Sequence, residues 1–163
     1  MVGGCSFLAE SATYVYDAED RVLGRIASHV AKQLLAASKA GREERVIIIN
    51  AEQAVVSGKQ SQIFTEYRAK YELNHARKGP FFPRMPDQIL KRAVRGMLPY
   101  QRNSSGRNAI KSLRVEIGTP SDLEGKDLPE GCEWGDATNF SKPLPQSYVR
   151  LGAISQELGI DIS

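Results

Sequence analysis

An α/β fold with a parallel sheet is what this sequence predicts, and three observations carry the prediction. Over residues 13–50 a β-rich segment, an amphipathic helical repeat and an all-apolar strand follow one another, which makes a βαβ unit with a right-handed crossover. Further helical repeats and strand-like runs come after it. The chain is 163 residues long and 41% hydrophobic, enough for about one domain with a modest core of its own.

The elements can be justified in order. Thr13-Tyr14-Val15-Tyr16-Asp17 alternates and is rich in β-formers, so it reads as the first strand. Leu23, Ile26, Ala27, Val30, Ala31, Leu34 and Leu35 fall at helical spacing on one stripe, and Gly41 stands where a helix would stop. Arg45 to Asn50 is apolar on both faces, the pattern of a central parallel strand. Ala54 to Gly58 reads as a short extended piece, and Gln60 to Leu73 as a helix with Ile63, Phe64, Tyr67 and Tyr71 on one side.

Three prolines make Gly79 to Pro86 irregular. Pro86 suits the first position of a helix running to about Leu98, with Asp87 favourable at its positive end and Pro99 stopping it. A short helix is expected around Arg107 to Ser112, then a strand from Leu113 to Ile117 closed by Gly118. Thr119 to Gln146 is rich in Pro, Gly and acids and reads as an extended loop. Tyr148 to Leu151 and Ile154 to Leu158 read as a last strand and helix. The organisation expected is an N-terminal tail over 1–12, a core over 13–118, an irregular acidic excursion over 119–147, and a C-terminal strand and helix over 148–163.

Charge is unevenly spread. Lys and Arg balance Asp and Glu at 7 each over residues 1–59, outnumber them 12 to 3 over 60–115, and fall to 3 against 9 over 116–163. A cationic middle within a chain of net charge +3 points to a polyanionic partner. On the helix after Pro86, Gln88, Lys91, Arg92 and Arg95 lie opposite the apolar stripe of Ile89, Leu90, Ala93, Val94, Met97 and Leu98. Cations on successive turns repel unless an anion bridges them, and phosphates along a nucleic-acid strand supply such anions. Phe81 and Phe82 lie beside these cations, either as stacking surfaces for unpaired bases or as anchors in the core, and the anchor reading is preferred.

Other chemistry finds little support. Ser57-Gly58-Lys59-Gln60 resembles the end of a phosphate-binding P-loop, but Gln53 stands where that motif needs Gly and Gln60 where it needs Ser or Thr. His29 reads as a helix-surface residue, whereas His75 lies in a basic stretch. Cys5 and Cys132 have no partners at metal-ligand spacing and read as free thiols. No run of residues is long and apolar enough for a membrane span, and the first ten residues lack the basic and apolar regions of a secretion signal. No catalysis, metal or cofactor is expected.

Val94-Arg95-Gly96-Met97-Leu98-Pro99 resembles the signature of the universal large-subunit ribosomal protein 13 family. Asp17-Ala18 with Leu23 to Ser28, Asn50-Ala51-Glu52 with Val56 to Lys59, and Arg114 to Gly118 match in the same order. The resemblance covers about residues 13–120 and the end from Val149 to Gly159. The Gly79-Pro80-Phe81 loop and Phe82 to Pro86 resemble the archaeal and eukaryotic branch, while the bacterial His-Pro-His element is absent after Gly118.

The resemblance implies a small, mostly parallel sheet sandwiched between helices (three layers, α/β/α). It also implies a structural constituent of the large ribosomal subunit in the cytoplasm. The partners implied are large-subunit ribosomal RNA and neighbouring ribosomal proteins, with no membrane and no homo-oligomer. The RNA contacts it implies fall on Lys59, Arg68 and Lys70, on His75, Arg77, Lys78 and Arg84, and on Lys91, Arg92, Arg95, Arg102, Arg107 and Lys111, with Arg25 a further candidate. The alternatives are an RNA-binding regulator acting off the ribosome and, behind it, a nucleotide-dependent enzyme built on the βαβ unit.

Overall fold

A computed structural model describes residues 12–73, 75, 77–123, 128, 131–138 and 140–161. Cys5 and nearly all of the expected tail over 1–12 lie outside the described residues.

The βαβ unit is present as β1 (Thr13–Asp17), α1 (Leu23–Ala40) and β2 (Arg45–Ile49), with β1 and β2 parallel from Thr13 opposite Arg45 to Asp17 opposite Ile49. α1 buries Ile26, Ala27, Val30, Ala31, Leu34 and Ala37. It stops where Gly41 takes a left-handed φ of 70° and returns its N–H to the Ala37 carbonyl, a conformation in which a Cβ would be strained. A 3-10 turn over Ala51–Gln53 leads to β3 (Val55–Ser57) and α2 (Gln60–Glu72), then α3 (Pro86–Met97) and α4 (Ser104–Lys111). β4 (Leu113–Val115), β5 (Cys132–Trp134), β6 (Tyr148–Arg150) and α5 (Leu151–Glu157) complete the chain.

The main sheet has the order β4-β2-β1-β5, and β3 pairs with β6 in a separate ribbon. The first sheet is wholly parallel and the ribbon antiparallel, so the expected α/β class with a mostly parallel sheet holds. β2 is apolar on both sides for a visible reason. Val46 and Ile48 join the large core with α1 and α3, while Ile49 packs with Val15 and Leu123 against Ile47, Leu128 and Cys132.

Several local expectations differ from what forms. The extended loop over 119–146 contains β5, which pairs in parallel with β1 from Thr13 opposite Cys132 to Val15 opposite Trp134. Three residues flanked by acids carry almost no strand signal, and the partner edge is set by β1, far back in the chain. The same segment sends Phe140, 2% exposed, into the core. There it meets the His29 ring at 5.2 Å and the Tyr16 ring at 5.8 Å.

His29 is therefore not a plain surface residue: it is half-buried and lies 3.3 Å from the Tyr16 hydroxyl, which donates to Gln33. Burial, followed by the nearby Asp136 carboxylate, pushes the Tyr16 phenol up to about 12.

α4 begins a turn earlier than expected, because docking on α1 outweighs the weak helix propensity of Ser104 and Ser105. The Ser38 hydroxyl donates to the Ser105 carbonyl at 2.9 Å, and Gly106 and Ala109 are buried. β4 ends at Val115 rather than Ile117, although the Glu116 N–H still reaches the Ile48 carbonyl at 2.8 Å. α5 starts directly after β6, three residues before Ile154.

Candidate nucleic-acid interface

α3 is built to hold one face down and one face out. Ile89, Leu90 and Val94 are buried along it, and on the area scale each stabilises by about 1.5–3 kcal/mol. Met97, expected in this stripe, is instead 46% exposed, and at this last turn Leu98, 5% exposed, fills the core in its place. Gln88 and Arg95 are exposed on the other face, and Lys91 and Arg92 are half-buried there.

Two cations of this face, Arg92 and Arg95, and two beside it, Lys70 and Arg84, rest on aromatic rings. The Arg92 guanidinium lies 4.9 Å from the centre of the Phe82 ring and donates to the Phe81 carbonyl at 3.1 Å. Phe82 in turn meets Tyr67 of α2 edge-on at 5.8 Å. Arg84 sits over Tyr71 at 5.3 Å, Lys70 over Tyr67 at 5.0 Å and Arg95 over Tyr100 at 5.1 Å. Arg107 donates from α4 to the Tyr100 carbonyl at 3.4 Å. Burial also raises the Tyr67 phenol, with the Glu66 carboxylate adding to it, so that ring is neutral at ordinary pH.

Stacking of this kind contributes roughly 0.5–1 kcal/mol at an exposed site. More useful here, it engages the face of a guanidinium and leaves its edge donors free. An arginine so held is pre-oriented, and its edge suits a planar or tetrahedral oxyanion.

The structure thus gathers Lys70, Arg84, Arg92, Arg95 and Arg107 around α2, the loop before α3, α3 itself and the turn into α4. Lys91 is on the same helix. Lys59 stands just before α2, and His75, Arg77, Lys78 and Arg102 are exposed without side-chain partners among the described residues, save that the His75 ring accepts the Arg77 N–H at 3.3 Å. Lys111 is turned elsewhere. It lines a cleft of about 770 Å³ at the amino ends of the parallel strands, together with Arg42, Arg45 and Arg114.

Two of the expected residues are engaged by the protein's own acids: Arg68 by Glu157 of α5, and Lys70 by Glu66 one turn away. Both pairs are exposed enough that solvent screens them to about 0–1 kcal/mol. The remaining expected cations make no ion pair among the described residues. Arg25 is exposed.

The two phenylalanines separate. Phe82 is an anchor, as preferred, while Phe81 is 60% exposed. Sequence reasoning missed the role of Tyr67, Tyr71 and Tyr100. The one signal for the first two was their spacing of four residues on a helix flanked by cations.

The carboxyl ends of the strands, where α/β folds commonly seat ligands, are tied up internally. Asn50 donates to Asp17 at 3.0 Å and accepts from Thr119 at 3.2 Å, and the Gly118 N–H donates to Glu52 at 2.9 Å. Among the described residues no group of three or more His, Cys, Asp and Glu side chains could hold a metal ion, and no helix is long and apolar enough to cross a membrane.

Comparison with known proteins agrees over most of the chain. A family model described as ribosomal protein L13 matches residues 11–122. The large ribosomal subunit protein uL13 of Halobacterium salinarum is 41% identical over 157 residues, which is 96% of this chain and 98% of that one. The protein of the same name from Archaeoglobus fulgidus is 41% identical over 145 residues, 89% of this chain and 86% of its own length. That from Methanosarcina barkeri is 43% identical over 145 residues, 89% and 96% of the two chains.

Proposed function

We propose, from the premise that this chain belongs to the ribosomal protein L13 family, that it binds folded large-subunit ribosomal RNA through the α2–α4 surface. It is a structural component of the large ribosomal subunit in the cytoplasm rather than an enzyme. Its RNA contacts run over Lys59, His75, Arg77, Lys78, Arg84, Lys91, Arg92, Arg95, Arg102 and Arg107, with Arg68 and Lys70 at the flank, while Lys111, turned toward the cleft at the amino ends of the strands, lies outside this row.

One observation carries the reading. Arg84, Arg92 and Arg95 each rest on an aromatic ring, and none of them pairs with an acid among the described residues. An ordered row of cations without counter-charges of its own is repulsive until an external polyanion neutralises it. Phosphates do so with release of condensed counterions, and guanidinium forks fix the register on a shaped backbone. Folded RNA meets both conditions, because its junctions present phosphates and sugar hydroxyls in fixed geometry.

The consequence is a strong dependence on salt. With about five phosphates neutralised and a slope near −0.7 to −0.9 per phosphate, affinity for a large-subunit RNA fragment should drop on the order of 10²–10³-fold between 50 and 200 mM salt. Filter binding across that range checks this. An affinity that hardly changes with salt would mean that the cationic row is not the contact surface.

A further inference from the structure

We propose that the free edge of β5 is a docking strand for an extended, cationic polypeptide segment. β5 pairs with β1 on one side only and ends the sheet order. The Thr13 N–H donates to the Gly131 carbonyl, and the Gly135 N–H donates to the Val15 carbonyl. Peptide groups alternate in direction along a strand, so those of Cys132 and Trp134 face away from β1. Among the described residues they have no backbone partner. Unpaired groups in a row are a template for strand addition.

The side chains at this edge define the partner. Trp134 is 49% exposed, and Glu133, on the opposite face of the strand, is exposed as well. Asp136, two residues past Trp134, is an exposed acid as well. A second strand with cations at two adjacent positions would present one on each face, one beside the Glu133 carboxylate and the other over the Trp134 ring, whose face attracts a guanidinium. The same charge repels RNA, and pairing β5 with β5 of a second copy would set like charges opposite one another. A basic polypeptide satisfies the backbone, the ring and the acids together.

Trp134 is the only tryptophan of the chain, so its emission reports on this edge. The probes are a short threonine-rich peptide with two adjacent arginines, the same peptide with every backbone amide N-methylated, and a uridine oligonucleotide. The unmethylated peptide should shift the tryptophan emission saturably with the full chain. The N-methylated form should bind at least ~10-fold more weakly, as should the unmethylated peptide with Glu133→Lys. Equal binding of the two peptides would reduce the effect to charge alone and overturn strand addition. A shift produced by the oligonucleotide and not by the peptide would overturn the choice of partner. The inference stands apart from the RNA reading: an Arg92→Glu/Arg95→Glu chain should bind the peptide unchanged.

Discussion

Replacing Arg92 and Arg95 together by glutamate is expected to weaken binding to large-subunit ribosomal RNA by about 100-fold or more at ~0.1 M salt, with little change in fold. A hydrogen bond to a charged group contributes about 1.5–3 kcal/mol. Two such losses, at 1.4 kcal/mol per factor of ten, already exceed a hundredfold before repulsion between phosphate and carboxylate is added.

The fold should tolerate the change, because the buried stripe of Ile89, Leu90 and Val94 is untouched. What is lost internally is one guanidinium–carbonyl bond to Phe81 and two ring contacts, together at most about 2.5–5 kcal/mol on the same figures, which lowers the melting temperature without altering the buried stripe. Lysine at both positions is the informative control. It keeps the charge and loses the planar fork, so it should retain salt-dependent attraction while losing part of the affinity. Parallel RNA titrations and thermal melts of the three proteins decide the matter. Wild-type affinity in the double glutamate variant would remove α3 from the interface.

The two glycines inside α3 and α4 should respond to alanine with opposite signs. A Cβ on Gly106 would lie 2.7 Å from the Pro99 carbonyl carbon and 2.8 Å from both the Pro99 oxygen and the Tyr100 nitrogen. These are backbone atoms, so α4 must move away from the turn. Overpacking of this kind costs about 1–3 kcal/mol and is only partly offset by the roughly 1 kcal/mol gain in helix propensity. Tyr100 supports Arg95 through its ring and Arg107 through its carbonyl, so Gly106→Ala should also lower RNA affinity several-fold.

A Cβ on Gly96 meets nothing within 4 Å, and Gly96→Ala should raise the melting temperature by about 2–4 °C, corresponding to up to ~1 kcal/mol. Thermal melts that rank the two variants in the reverse order would show that α4 does not pack on the turn as described.

The pair illustrates how much of the molecule its sequence discloses. α1, β2 and α3 are legible because each buries a stripe long enough for its period to show. So is the division of α3 into an apolar face and a cationic one, since helical spacing alone separates Arg92 and Arg95 from Ile89 and Val94. β5 is illegible because Cys132-Glu133-Trp134 has no period to read and gains its strand character from β1. The burial of Phe140 against His29 and Tyr16 is hidden for the same reason.

At the interface, the pairing of Glu66 with Lys70 follows from helix spacing. The pairing of Arg68 with Glu157 and the seating of Arg84, Arg92 and Arg95 on Tyr71, Phe82 and Tyr100 do not. Those contacts depend on how the loop before α3 and the turn after it fold back, which is decided by tertiary packing around Phe82 and Gly106. Sequence therefore identifies the cations but not what holds them.

Lysine acetylation compared between the free chain and the chain in assembled large subunits tests the central assignment most directly, since it reads individual positions in the assembly itself. Lys59, Lys78 and Lys91 should become protected on assembly, while Lys32, Lys39 and Lys142, all exposed and off this surface, should react much as before. The account is contradicted if Lys78 and Lys91 are modified as fast in the subunit as in the free protein.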